Sequence, residues 1–187
     1  MRVVGWFRVG CFLRGGVFTL NLLVRGNRGR EMQIKVDAVR RFHTNASLSD
    51  VFSVLSDVPR SVSHYPDVEA LHKLQEGEYR WELRTLGTAG FSHQVVYACR
   101  YVSDANAGTV TWQPVSGVGN GTISGQWVLS EDSSGTWVDF RNEGFLTIPV
   151  PRMLKRLATT FVIDSFEGQI ERYLANLNQT FRNLNQS

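Results

Sequence analysis

The sequence predicts an α+β domain, an antiparallel sheet followed by one long helix. Two observations carry this. Between about Met32 and Pro151, apolar and polar residues mostly alternate, which is the period of a half-buried strand. From Arg152 to Phe181 the period changes. Leu154, Leu157, Ala158, Phe161, Ser165, Phe166, Ile170, Tyr173, Leu174, Leu177 and Phe181 recur at three- and four-residue steps, so they share one side of a helix. At the usual rise that helix is about 45 Å long. The sheet before it is the only large apolar surface that can cover such a stripe.

The elements follow in order from Met32. Ile34 to Phe42 reads as a first strand. Ser47-Leu48-Ser49-Asp50 is a capping-box pattern, with Asp in place of Glu, and it opens a short helix whose Leu48, Val51, Phe52 and Leu55 share a face. Asp57-Val58-Pro59 closes that helix and starts a second one, with Pro59 at a tolerated first-turn position, ending at Tyr65-Pro66. Six more strands are predicted: Val68–Leu74, Tyr79–Leu86, Phe91–Tyr101, Thr109–Gln113, Thr122–Glu131 and Thr136–Leu146. Turn-like separators lie at Gln75–Glu78, Thr88–Gly90, Ser103–Gly108, Ser116–Gly121 and Asp132–Gly135. Ile148-Pro149-Val150-Pro151 is a stiff, extended approach to the long helix. Domain limits are therefore 32–181, with an N-terminal extension at 1–31 and a tail at 182–187.

The extension has a different character from the domain. Residues 1–31 hold six arginines and one acid, Glu31, whereas the whole 187-residue chain is only +3. The domain is thus slightly acidic, and nucleic acid is not an expected partner. The longest uncharged run, Gly15 to Val24, is about half of a membrane-spanning helix. Arg8 and Arg14 break any signal-peptide core. The segment is expected either to be disordered or to lie upstream of a true start at Met32. Cys11 and Cys99 make no disulfide framework, so a cytoplasmic setting is expected.

Alternation within the strands assigns their faces. Tyr79, Trp81 and Leu83 point inward, as do Phe91, His93, Val95, Tyr97, Cys99 and Tyr101. Val110, Trp112, Ile123, Gly125, Trp127 and Leu129 continue this surface. On the last strand Val138, Phe140 and Asn142 are inward, which sends Trp137 outward. So bulky and uneven a surface either packs tightly or encloses a cavity.

The chain resembles the START-like, Bet v 1-type or SRPBCC superfamily, which includes polyketide cyclase/dehydrase and lipid-transport proteins. The resemblance rests on Ser47-Leu48-Ser49-Asp50-Val51-Phe52 with Leu55-Ser56-Asp57, on His64-Tyr65-Pro66, and on Thr111-Trp112-Gln113-Pro114. Gly119-Asn120-Gly121-Thr122-Ile123-Ser124-Gly125-Gln126-Trp127 and Ile148-Pro149-Val150-Pro151-Arg152 complete it. It implies a helix-grip fold: a curved antiparallel sheet of about seven strands around the C-terminal helix, with an apolar cavity between them. Leu154, Leu157, Phe161 and Ser165 are then the helix residues expected to face the cavity, and Trp81, Leu83, His93, Tyr97, Trp112, Trp127, Phe140 and Asn142 its sheet side. Gly168 marks a place where strand or ligand would come close.

Chemistry is thinly signalled. His43, His64, His72 and His93 lack metal-ligand spacing, so no metal and no cofactor are expected. Gly117-Val118-Gly119-Asn120-Gly121 is followed by a strand and lacks the closing Lys-Ser/Thr of a phosphate loop, so it reads as a turn near a cavity mouth. His93 is the one catalytic candidate. With Tyr97 and Asn142 it would orient a ligand carbonyl or act as acid or base; the alternative is a core histidine satisfied by a neighbour. Arg152, Lys155 and Arg156 form a basic rim, either merely solvated or attracting acidic headgroups in a transient membrane contact. The leading functional expectation is non-catalytic binding or carriage of a hydrophobic small molecule such as a lipid, quinone or polyketide. The alternatives are a polyketide cyclase, aromatase or dehydratase, and an assembly factor for a membrane-associated or respiratory complex.

Overall fold

The computed structural model describes residues 8–13, 16–21, 31–88 and 91–184; at 8–13, 16–21, 86–88, 91–92 and 152 only the backbone is considered. Of the expected extension 1–31, the described part is a hairpin of β1 (Arg8–Leu13) and β2 (Gly16–Asn21), together with Glu31, which starts the next strand. Residues 1–7, 14–15 and 22–30 lie outside the described residues, as do Ala89-Gly90 of an expected turn and 185–187 of the expected tail.

Strand β3 (Glu31–Thr44) buries Met32, Ile34, Val36 and Ala38 at every second position, the mark of a sheet with one covered face. Helix α1 (Leu48–Ser56) is capped as its sequence predicts. The Asp50 amide donates to Ser47 Oγ at 3.2 Å, and the Ser47 hydroxyl donates to Asp50 Oδ2 at 2.6 Å. Helix α2 (Val58–Val62) is capped by Asp57, which accepts from the Arg60 amide at 3.1 Å, and Pro59 sits in its first turn. It stops before the expected Tyr65-Pro66. His64, just beyond it, donates from Nδ1 to the Arg60 carbonyl at 2.9 Å.

Then come β4 (Val68–Gln75), β5 (Glu78–Leu83), β6 (Leu86–Thr88), β7 (Phe91–His93), β8 (Val96–Asp104), β9 (Thr109–Gly119), β10 (Gly121–Asp132) and β11 (Gly135–Pro149). The main sheet has seven antiparallel strands in the order β3-β11-β10-β9-β8-β5-β4 and curves around the last helix. Strands β6 and β7 form a separate two-stranded ribbon. This divides two strands that the sequence predicts as continuous, Tyr79–Leu86 and Phe91–Tyr101. Local bonding explains the break. The Asn120 side chain takes the Gln94 carbonyl at 2.8 Å and the Val96 amide at 3.0 Å, bonds that another strand would otherwise supply. On the other side of β5, the Arg84 amide continues the pairing with β4 by donating to the Asp67 carbonyl at 2.7 Å.

Strand β9 runs past the expected Gln113 to Gly119, so the expected loop Ser116–Gly121 is mostly strand. A register shift between Tyr97 and Cys99 accommodates it opposite Pro114, which has no amide to donate. Gly119 then turns the chain at φ +72°, where an added Cβ would collide with the Val96 carbonyl.

A 3-10 turn, Arg152–Leu154, leads into α3 (Lys155–Leu184). The helix buries Ala158, Phe166, Gln169, Ile170, Tyr173, Leu174, Leu177 and Phe181. Its C-terminal half is fastened at several points. Phe181 is fully buried and stacks on Phe42 at 6.4 Å, Thr180 Oγ1 lies 2.8 Å from His64 Nε2, and Asn176 donates to the His64 carbonyl at 2.9 Å. Removing the Phe181 ring alone would cost about 3–5 kcal/mol. The N-terminal half is different. Leu154 and Leu157, expected to face inward, are 42% and 73% exposed: the apolar stripe continues past the part of the helix that is covered. Gly168 corrects a second expectation: it faces open space, with nothing among the described residues within 4 Å of a Cβ placed there. Among the described residues, no helix is long and apolar enough to cross a membrane.

Candidate functional site

Between the inner face of the sheet and α3 lie two adjoining chambers. The space open to the centre of a water molecule is about 40 Å³ in the first and about 50 Å³ in the second. Tyr65, Tyr97, Ile123 and Asn142 border both and so form the partition between them. Of the residues expected on sequence grounds, Trp81, Tyr97, Trp112, Trp127, Phe140 and Asn142 line the first chamber. Leu83, His93, Tyr97, Asn142, Phe161 and Ser165 line the second. Leu154 and Leu157 line neither, in keeping with their exposure.

The first chamber is an aromatic box. Trp127 packs on Phe140 at 4.5 Å and on Trp112 at 6.2 Å, and Trp81 stacks on Tyr97 at 5.5 Å. Gly125 makes this possible, since any Cβ there would fall on the Trp112 indole. Three pairs of polar atoms within the box bond to one another. Trp112 Nε1 donates to Asn142 Oδ1 at 3.1 Å, Trp81 Nε1 to the Tyr101 hydroxyl at 3.0 Å, and the Tyr173 and Ser61 hydroxyls meet at 2.6 Å. Burial pushes the phenols of Tyr65, Tyr97, Tyr101 and Tyr173 well above their ordinary value of 10.0, so they stay protonated. Cys99, behind the wall, is fully buried and donates to the Ile123 carbonyl at 3.2 Å; burial pushes its thiol up to about 12.

The second chamber is bordered by the polar residues His93, Asn142, Ser165, Gln169, Tyr65 and Tyr97. His93 ends the β6–β7 ribbon, and its Nε2 lies 3.1 Å from Asn120 Nδ2. The Asn120 amide has a fixed orientation because its Oδ1 accepts from the Val96 amide. Its nitrogen can only donate, so His93 Nε2 must accept with its lone pair. His93 is therefore neutral, and burial also lowers its pKa below 6.5. Asn142 borders the same chamber, but this hydrogen bond of His93 goes to Asn120.

Several lining residues escape the sequence reading. Tyr65 and Ser61 come from α2 and the loop after it, where no periodicity gives a facing direction. Gln169 lies three residues after Phe166 and four before Tyr173, squarely on the helix stripe. Spacing alone would find it, but its polarity argues against placing it inside.

Among the described residues, no charged side chain borders either chamber. No family model matches the chain. No curated protein matches it either. Solved structures do match. TTHA0849 from Thermus thermophilus is 19% identical, with 79% of this chain and 96% of that chain covered and a TM-score of 0.56. The di-domain ARO/CYC StfQ from the steffimycin biosynthetic pathway is 11% identical, with 82% of this chain and 53% of that chain covered and a TM-score of 0.54. The Zhui aromatase/cyclase from Streptomyces sp. R1128 is 15% identical, with 81% and 93% covered and a TM-score of 0.51. At these identities the likeness establishes architecture alone, and that architecture is the helix-grip fold.

Proposed function

We propose that the protein binds a hydrophobic small molecule between the sheet and α3 and carries it without changing it. The observation that carries this reading is the lining of the two chambers: aromatic and aliphatic walls, a few neutral polar groups and, among the described residues, no charged side chain. Burial of apolar ligand surface would supply the affinity, at about 25 cal/mol per Å² before the costs of association. The chambers as they stand have room for a few waters. A larger occupant therefore requires them to merge or widen, and the lightly covered first half of α3 is the wall best able to move.

A second reading, cyclisation or dehydration of a polyketide-like substrate, draws support from the fold shared with StfQ and the Zhui aromatase/cyclase. The lining chemistry argues against it. The tyrosines hold their protons too tightly to act as bases near neutral pH, and the Nε2 lone pair of His93 is engaged by Asn120.

Calorimetric titration with 2-ethylnaphthalene, a probe with no polar group, tests the binding reading. We expect saturable one-to-one binding with a negative heat-capacity change, lost in Ser165→Trp, which fills the second chamber. Absence of saturable binding, or binding indifferent to Ser165→Trp, would contradict it.

A further inference from the structure

Gln169 is buried on the inner stripe of α3, only 3% exposed, between Phe166 and Tyr173. Packing alone asks for an apolar side chain there. Its Oε1 accepts from the Tyr65 hydroxyl at 3.4 Å, while its Nε2 has no hydrogen-bond partner among the described residues. A buried amide nitrogen without an acceptor is costly, and natural proteins rarely leave one so. Gln169 borders the second chamber together with Asn142, His93 and Ser165. The missing partner is thus an acceptor that arrives in that chamber.

Its chemical class follows from the walls. No Lys, Arg, Asp or Glu among the described residues borders the chamber, so a carboxylate or phosphate would be buried without a counter-charge. A carbonyl oxygen accepts through two lone pairs and brings no donor to compete with the amide. Resting on the binding reading above, we infer that Gln169 Nε2 donates to the carbonyl oxygen of an uncharged, apolar ligand, a ketone, quinone or ester, whose body fills the chambers. Tyr65 holds the amide by its oxygen and so aims its nitrogen at the ligand.

The test compares 2-acetylnaphthalene with 2-ethylnaphthalene, which has the same ring and no carbonyl, in the wild type, Gln169→Leu and Gln169→Met. The wild type should prefer the ketone by about tenfold. Both variants should bind the two probes with about equal affinity, so that the preference is lost. The anion 2-naphthoate should bind the wild type more weakly than the ketone. Equal affinity for ketone and hydrocarbon in the wild type, or a preference that survives in either variant, would overturn the assignment to Gln169 while leaving hydrophobic binding intact. Failure of both neutral probes to bind would overturn the binding reading along with it.

Discussion

Asn120 does more for the site than any single lining residue, although it is itself only a turn residue. Its amide bonds Gln94, Val96 and His93 at once, which joins the β9–β10 turn to the ribbon end where His93 sits. The protonation state of His93 follows from that contact. A histidine whose folded pKa lies below its unfolded value destabilises the fold when protonated. Above pH 6.5 both states are neutral and stability is complete; below it the unfolded chain takes up the proton first, and stability falls until the depressed folded pKa is passed as well. The urea midpoint should therefore drop more between pH 7.5 and 5 in the wild type than in His93→Gln. Equal drops would contradict the assignment of a neutral His93. The sequence shows His93 on an inward-facing run. It does not show its partner 27 residues away, because a side-chain bond across two turns leaves no periodic trace.

At the scale of elements, α3 has two unlike halves. From Gln169 onward it is held by buried side chains and by bonds to α2 and β3, including Tyr173 to Ser61 and Arg40 to Glu171 at 2.6 Å. From Lys155 to Ser165 only Ala158 is buried. Backbone amides of 155–165 should accordingly exchange with deuterium at least about tenfold faster than those of 170–181, and a bound ligand should narrow that gap. Uniform protection along the helix would count against a movable first half. The pattern of apolar spacing reveals the helix, both caps and every strand of the main sheet. It cannot reveal that Leu154 and Leu157 stay exposed, because the stripe records which side of a helix is apolar and not how much of that side is covered. The division at Gln94–Val95 is hidden for a similar reason: the alternation runs through it unbroken, while the Asn120 side chain takes up the Gln94 carbonyl and the Val96 amide.

For the whole molecule, the outcome is a curved sheet that closes on a helix along two thin chambers, with an aromatic box on one side and a small neutral polar group on the other. Trp81, Trp112, Trp127 and Phe140 are legible as an inward aromatic set from alternation alone. That they border an open space, and that Tyr65, Ser61 and Gln169 complete its walls, depends on how helices pack on the sheet. Packing at that level is a tertiary property which local patterns do not encode. The most direct test of the account is native mass spectrometry of the protein purified from its own host, followed by organic extraction of what it holds. A single class of uncharged, carbonyl-bearing hydrophobic molecule bound one to one is the expected result. A protein that is empty in every preparation, or one that holds a charged lipid, would contradict it.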